Sequence, residues 1–434
     1  MILQVTVPSL SVELLLLTTS SHSTGGSVFS HNAVETRNWT EIMNKNLILP
    51  ALPAPAASTA VERIVKASRR PANLGKVEEG VISLAMGEPD NGTSVDVVDA
   101  GIAALRAGHT RYSALTGMPE LRDALAASLS EKSGRLIEAQ QVVVTHGGSA
   151  GLAASILSLI EPGDKVLIPE PTYSLYADHL AMVGAQAVWV PNLPDGTLNL
   201  EKLEQEAPQA RMVILCNPGN PTGRVYAAGE LHALSRILEA NPRLLLLADE
   251  AYSDIVFDDL PFLSSLQLHS IADQVICCST FSKTYAMTGW RLGYVVASPE
   301  HAAAINLIHR SINGAINTFV QEAGVQALKT PAHDLKSLTD SYQSRRDIVV
   351  ELLSSVPGVS LLAPQGAFYA FPKIESKLSS EQMVSHFASA GVSVRSGAEF
   401  GPSGEGHVRI SFATDLQSLT AGLQRLVAAV GAIV

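Results

Sequence analysis

Three places in this 434-residue chain set chemically capable side chains at the ends of apolar runs. Leu244 to Ala248 runs straight into Asp249-Glu250-Ala251-Tyr252, which puts a carboxylate at the carboxyl end of a buried strand. Such a charge is costly unless a cation or donor meets it. A helix cap is the plain use of Asp249; pairing with a protonated pyridine nitrogen is the chemical one. Val275 to Cys278 runs into Ser279-Thr280-Phe281-Ser282-Lys283-Thr284, and Met287-Thr288-Gly289-Trp290-Arg291-Leu292-Gly293 follows, so Lys283 and Arg291 stand eight residues apart. A lysine amine in that setting can carry an imine and, with its pKa lowered, act as a general base. Met212 to Cys216 ends in Asn217-Pro218-Gly219-Asn220-Pro221-Thr222-Gly223, where two prolines and two glycines impose an irregular backbone. A fourth segment, Thr145 to Gly151, follows a strand and opens a helix, so backbone N–H groups there can meet a phosphate dianion. It also reads as an ordinary strand-to-helix turn, and it lacks the G-x-G-x-x-G pattern of a dinucleotide site.

These residues require strands that end together. Apolar runs at Val142 to Thr145, Lys165 to Ile168, Ala187 to Val190, Met212 to Cys216, Leu244 to Ala248, Val275 to Cys278 and Gly293 to Ala297 are mostly separated by helix-length spacers. Seven such strands alternating with helices predict an α/β fold, a mostly parallel seven-stranded sheet covered by helices, with ligands bound beyond the carboxyl ends of the strands. Helical patterns are expected at Val61 to Lys66, Val97 to Arg106, Glu120 to Ser130 and Asp334 to Leu353. Short strands around Phe368 to Phe371, Val392 to Arg395 and Val408 to Phe412 predict a smaller α+β domain after Pro331. Residues 1–50 read as a disordered or wrongly assigned leader, with Met43 as an alternative start. Residues 51–92 read as an N-terminal arm and part of the small domain, 93–330 as the large domain and 331–434 as the small one.

Composition narrows the function classes. Hydrophobic residues at 46% and charged residues at 16% fit a globular enzyme. The net charge of −11 gives no electrostatic reason to expect nucleic-acid binding. Cys216, Cys277 and Cys278 show no metal-ligand spacing and fall in apolar runs, so neither zinc nor a disulfide framework is expected, and a cytoplasmic setting is. No apolar run in the leader is long enough to span a bilayer.

Taken in order, N-P-x-N-P-T-G, D-E-A-Y-x-D and S-x-x-S-K-x-x-x-x-x-G-x-R-x-G-Y, about thirty residues apart, resemble the aspartate aminotransferase superfamily. These are the class I and II aminotransferases of pyridoxal 5′-phosphate (PLP) fold type I, and the resemblance covers about Val81 to Ala413. It implies that Lys283 carries PLP as an internal aldimine and shuttles the proton. Asp249 would pair with the pyridine N–H, Asn217 and Tyr252 would meet the ring's phenolic oxygen, and Tyr173 would stack on the ring. Gly148, Ser149, Ala150, Ser279 and Arg291 would surround the phosphate. Arg409 would grip the substrate α-carboxylate, with Gly87 and Asn217 beside it. Tyr112 would reach the phosphate of a neighbouring subunit, which implies a homodimer with shared active sites. The reaction implied is transfer of the amino group of an L-α-amino acid to a 2-oxo acid by a ping-pong route.

Two positions depart from the family pattern. Ser149 stands where some aspartate-specific members carry Lys, and Arg395-Ser396 replaces the usual Val/Ile-Pro before Gly397. Arg395 is left open between selecting an acidic substrate and pointing to solvent. Carbon–sulfur β-lyases and aminocyclopropane-carboxylate synthases share most of these residues and remain the alternative. A regulator with an aminotransferase-like sensor is the remote one, since the roughly sixty leading residues show no helix-turn-helix pattern.

Overall fold

In the computed structural model, which describes residues 3–7, 10–14, 58–70 and 79–434, the seven apolar runs come together in one seven-stranded sheet. Earlier in the chain, Leu3–Val7 (β1) and Leu10–Leu14 (β2) pair antiparallel within a separate unit, Met1–Leu47. The leader reading of residues 1–50 otherwise lies outside the described residues, as does the Pro/Ala stretch 51–57. The second unit, Ile48–Val434, holds everything that follows.

Ile82–Ser83 (β3) pairs parallel with Val392–Ser393, so a segment from early in the chain belongs to the same small sheet as one near its end. The large sheet consists of Val142–Thr145 (β4), Lys165–Glu170 (β5), Gln186–Pro191 (β6), Ala210–Cys216 (β7), Leu245–Asp249 (β8), Val275–Thr280 (β9) and Gly293–Val296 (β10). Its order is β4-β10-β9-β8-β7-β5-β6. β10 runs antiparallel to both neighbours, and the other pairings are parallel.

The runs are apolar at most positions because both faces of the sheet are covered. Val144, Val213, Leu215, Leu246, Ala248 and Cys277 belong to one core, whereas Val143, Ile214, Cys216, Leu247, Ile276 and Cys278 belong to the core on the opposite face. Successive side chains on a strand point to opposite faces, and each here finds helices to pack on. A separate core gathers Leu84, Tyr252 and Phe257 with Tyr342, Phe368, Tyr369, Phe387, Ile410 and Leu423. Around it lies a three-stranded antiparallel sheet with Val408–Ser411 between Tyr369–Ala370 and Arg395–Ser396.

The helices Thr59–Ala67, Val95–Arg106, Pro119–Ser133 and Ala332–Ser354 extend the periodic stretches by less than a turn. Terminal positions escape periodicity because capping chemistry decides them: Pro119 opens its helix, and Gly134, left-handed at φ 68°, closes it.

Candidate active site

The carboxyl ends of β7, β8 and β9 and the strand Val408–Ser411 open onto a cavity of about 290 Å³, lined by Cys216, Asp249, Thr280 and Arg409 among others. Lys283 reaches it from the turn after β9, and Gly87 from the segment after β3.

Asp249, the last residue of β8, is 6% exposed. The Tyr176 hydroxyl donates to its Oδ2 at 2.6 Å, and the Ala251 N–H to its Oδ1 at 3.2 Å. Burial raises its pKa, and these two donors pull the other way. Lys283 donates from Nζ to the Gly87 carbonyl at 2.6 Å. Burial brings the Lys283 amine from its ordinary 10.5 down to about 8; Arg409 and Arg291 act in the same direction, Glu88 and Asp249 against it. A base with a pKa near neutrality combines availability with strength. In cofactor-free protein, capture of Lys283 by a small aldehyde with cyanoborohydride should therefore rise with pH around a midpoint near 8. Surface lysines should go on rising towards about 10.4. Peptide mass spectrometry reads both, and identical profiles would refute the lowered pKa.

At one end of the cavity the helix Gly147–Leu159 begins, with Gly148 and Ser149 on the lining. Gly147 has φ 78°, and a Cβ there would stand 2.6 Å from the Arg291 guanidinium. The left-handed turn favours glycine, and a side chain there would also displace the tip of Arg291 from this space. Unpaired N–H groups of this first turn and the Arg291 charge face the same space, a setting suited to a dianion.

Arg409 lies at the other end, 5% exposed. Its guanidinium carbon sits 4.4 Å from the Tyr369 ring centroid and 5.0 Å from that of Phe400. Nη1 donates to Asn220 Oδ1 at 3.0 Å and Nη2 to the Ala85 carbonyl at 2.6 Å, while Nε is buried with no partner among the described residues. A buried cation without a carboxylate calls for an anionic ligand. Arg395, its cross-strand neighbour, also lines the cavity, but Glu399 takes its guanidinium through both carboxylate oxygens. Arg395 does not point to solvent: it is 9% exposed.

Of the residues singled out in the sequence, Gly87, Gly148, Ser149, Tyr173 and Asp249 line this cavity, together with Tyr252, Lys283, Arg291 and Arg409. Four stand elsewhere. Asn217 lies off the lining: its N–H bonds the Asp249 carbonyl at 3.0 Å, which prolongs the pairing of β7 with β8, and its Oδ1 accepts the Tyr226 N–H. Asn220, three residues on, lines the cavity instead, because the strand has ended and the backbone turns. Ser279 donates its hydroxyl to the Glu250 carbonyl, and Thr280 and Ser282 line the cavity in its place. Ala150 is not on the lining, and Tyr112 is 97% exposed on the surface. Tyr176, Asn220, Thr280, Ser282, Glu88, Arg70 and Tyr369 were not foreseen. Asn220 and Thr280 had a signal, since each lies within a quoted motif; Tyr176 and Tyr369 had none.

The Asn220→Ala change should raise KM for substrate about ten- to hundredfold, because it removes one charge-assisted hydrogen bond from Arg409, and those contribute about 1.5–3 kcal/mol. Asn217→Ala should instead lower the melting temperature and leave KM close to that of the parent. Steady-state kinetics and a thermal melt on both variants check the pair.

A family model described as Aminotransferase class I and II matches residues 79–426. The aspartate aminotransferase of Pyrococcus horikoshii is 35% identical over 358 residues, covering 80% of this chain and 90% of that protein. The arginine–pyruvate transaminase of Pseudomonas aeruginosa is 32% identical over 360 residues, covering 81% and 91%. The crystal structure of the aromatic aminotransferase from Pyrococcus horikoshii OT3 matches with a TM-score of 0.80 at 30% identity, covering 86% of this chain and 99% of that one. The chain belongs to the class I and II aminotransferase family, whose members use PLP, and its activity is that of an aminotransferase acting on amino acids and 2-oxo acids.

Proposed function

We propose that this cavity binds PLP and that the chain moves the amino group of an L-α-amino acid to a 2-oxo acid in two half-reactions. The observation that carries the reading is one amine, Lys283, with its pKa brought to about 8, set between a buried carboxylate and a buried guanidinium that meets no carboxylate among the described residues. PLP, when bound, accepts electrons from the bond broken at the substrate α-carbon and carries the amino group between the half-reactions.

The residues present fit it. Asp249 is a buried carboxylate suited to a pyridine N–H, and Tyr176 holds it in place. Gly148, Ser149 and Arg291 suit the phosphate, with Thr280 and Ser282 beside them. Tyr252 and Asn220, both on the lining, would meet the ring's phenolic oxygen, and Tyr173 would meet a ring face. Lys283 Nζ takes and returns the proton at the α-carbon. Arg409 orients the α-carboxylate through a planar, two-pronged contact.

The Tyr112 assignment and the homodimer rest on the family resemblance, supported by the exposure of this tyrosine beside an open groove lined by Arg111, Asn317 and Phe319. Heterodimers that join a Tyr112→Phe, Lys283→Ala double-variant subunit to an unaltered one should retain about half of the parental activity per dimer if each site uses the Tyr112 of its own subunit. With shared sites, the remaining Lys283 works beside the altered tyrosine and activity falls well below that. Three buried free cysteines suit a reducing cytoplasm, and among the described residues no helix is long and apolar enough to cross a membrane.

The deciding experiment incubates purified protein and PLP with a panel of L-amino acids and no acceptor. One 2-oxo acid should appear per site, with loss of the cofactor's visible band. Catalytic release of pyruvate and ammonia from cysteine, with no donor giving the stoichiometric burst, would replace this reading by the lyase one.

A further inference from the structure

Tyr369 belongs to no motif quoted above, yet it touches three working parts of the cavity. It is 2% exposed, on the strand Tyr369–Ala370 that pairs with the strand of Arg409. Its hydroxyl lies 2.8 Å from that of Tyr252, whose ring meets it edge-on with centroids 5.6 Å apart. Its ring face lies under the Arg409 guanidinium at 4.4 Å. A Cβ on Gly87 would overlap its hydroxyl, and the Gly87 carbonyl is the acceptor for Lys283. Two phenols and a guanidinium thus form one buried chain from the α-carboxylate end of the cavity towards Lys283.

We infer that Tyr369 is a positioning residue with two separable roles, its hydroxyl directing the Tyr252 phenol and its ring holding Arg409. The inference rests on the PLP reading and concerns the phenol assigned to the cofactor's ring oxygen. A phenol has one proton to donate. If Tyr252 gives it to Tyr369, it has none for the cofactor. If Tyr369 gives its proton to Tyr252, the Tyr252 O–H remains free and is a stronger donor for being itself an acceptor. The more acidic partner donates. Burial raises both phenols, and the Arg409 guanidinium, whose carbon lies 4.4 Å from the Tyr369 ring centroid, opposes that rise at Tyr369 and makes it the readier donor. The proton therefore runs from Tyr369 to Tyr252. The ring role is independent of the hydroxyl: an aromatic face near a desolvated guanidinium attracts it without a proton.

The two roles separate in two variants. Tyr369→Phe keeps the ring and loses the hydroxyl, and Tyr369→Leu loses both. The linkage between Lys283 and PLP is titrated by its visible absorbance. A weaker donor at the ring oxygen leaves more electron density on the cofactor, so the linkage holds its proton to higher pH. Tyr369→Phe should shift the midpoint upward by about half to one pH unit, the range of one modest hydrogen bond, with KM within about twofold of the parent. Tyr369→Leu should show the same shift and a KM raised about tenfold. In a Tyr252→Phe background, Tyr369→Phe should shift the midpoint no further, an outcome that a general structural disturbance does not produce. An unshifted midpoint in Tyr369→Phe, an equal KM change in both variants, or an additive shift in the double variant overturns the inference alone. A parent protein that develops no visible band with PLP overturns the functional reading and the inference with it.

Discussion

The Lys283→Ala protein is expected to fold, to take up PLP without a covalent bond, and to turn over at least about 10³-fold more slowly than the parent. General base catalysis by a positioned side chain contributes about 10² to 10⁴ in rate, and the variant also loses the amine that activates the cofactor carbonyl. Folding should survive because the side chain stands at a cavity and makes one hydrogen bond, to Gly87. Removing an amine whose pKa is held down by burial relieves a cost in the empty protein below about pH 8, so the melt at pH 7 should be no lower than the parent's. That relief fades as the pH rises through 8 towards 10.5, since the parental amine then loses its charge in both states. Borohydride treatment followed by mass measurement distinguishes covalent from non-covalent PLP. An external amine such as methylamine should restore part of the rate. Near-parental multiple turnover would remove Lys283 from the mechanism.

The second large effect is expected at Asp249→Asn, which keeps the shape of the side chain and removes its charge. The Tyr176 hydroxyl retains an acceptor, so the buried core around it is not opened. The cofactor's ring nitrogen loses its counter-charge, and breaking one side of a buried charge pair costs about 3–5 kcal/mol. If that cost falls mainly on the transition state, kcat drops by about 10² to 10⁴-fold. KM should change little, because Arg409 is untouched. Ring protonation followed by nitrogen-15 resonance in labelled PLP would show the nitrogen unprotonated near pH 7. A protonated ring in the variant, or a kcat within tenfold of the parent, would assign Asp249 a packing role only.

Much of the fold was legible because the large sheet is covered on both faces. Seven short runs, apolar at nearly every position, do not suit a half-wetted sheet, and all seven pair in it. The second core was less legible. Strands there are two to four residues long, and β3 joins from a position far earlier in the chain.

Contiguous chemistry was within the reach of sequence alone. Lys283 and Arg291 share one turn region, Asp249 ends its own strand, and Gly147 and Gly148 open their own helix, so local covalent spacing already places each of them at the cavity. Tertiary structure decided the rest. Asn217 and Asn220 look alike in the sequence, but in an irregular Pro/Gly backbone no period tells which side chain turns inward. Ser279 and Thr280 are adjacent on a strand, and only packing tells which one serves the cavity. Tyr176 reaches Asp249 across 73 residues, and Tyr369 reaches Tyr252 across 117. Local propensity carries no record of such pairings. They arise when segments far apart in the chain pack together, and the burial that results lowers the pKa of Lys283 and leaves Arg409 in need of an anion.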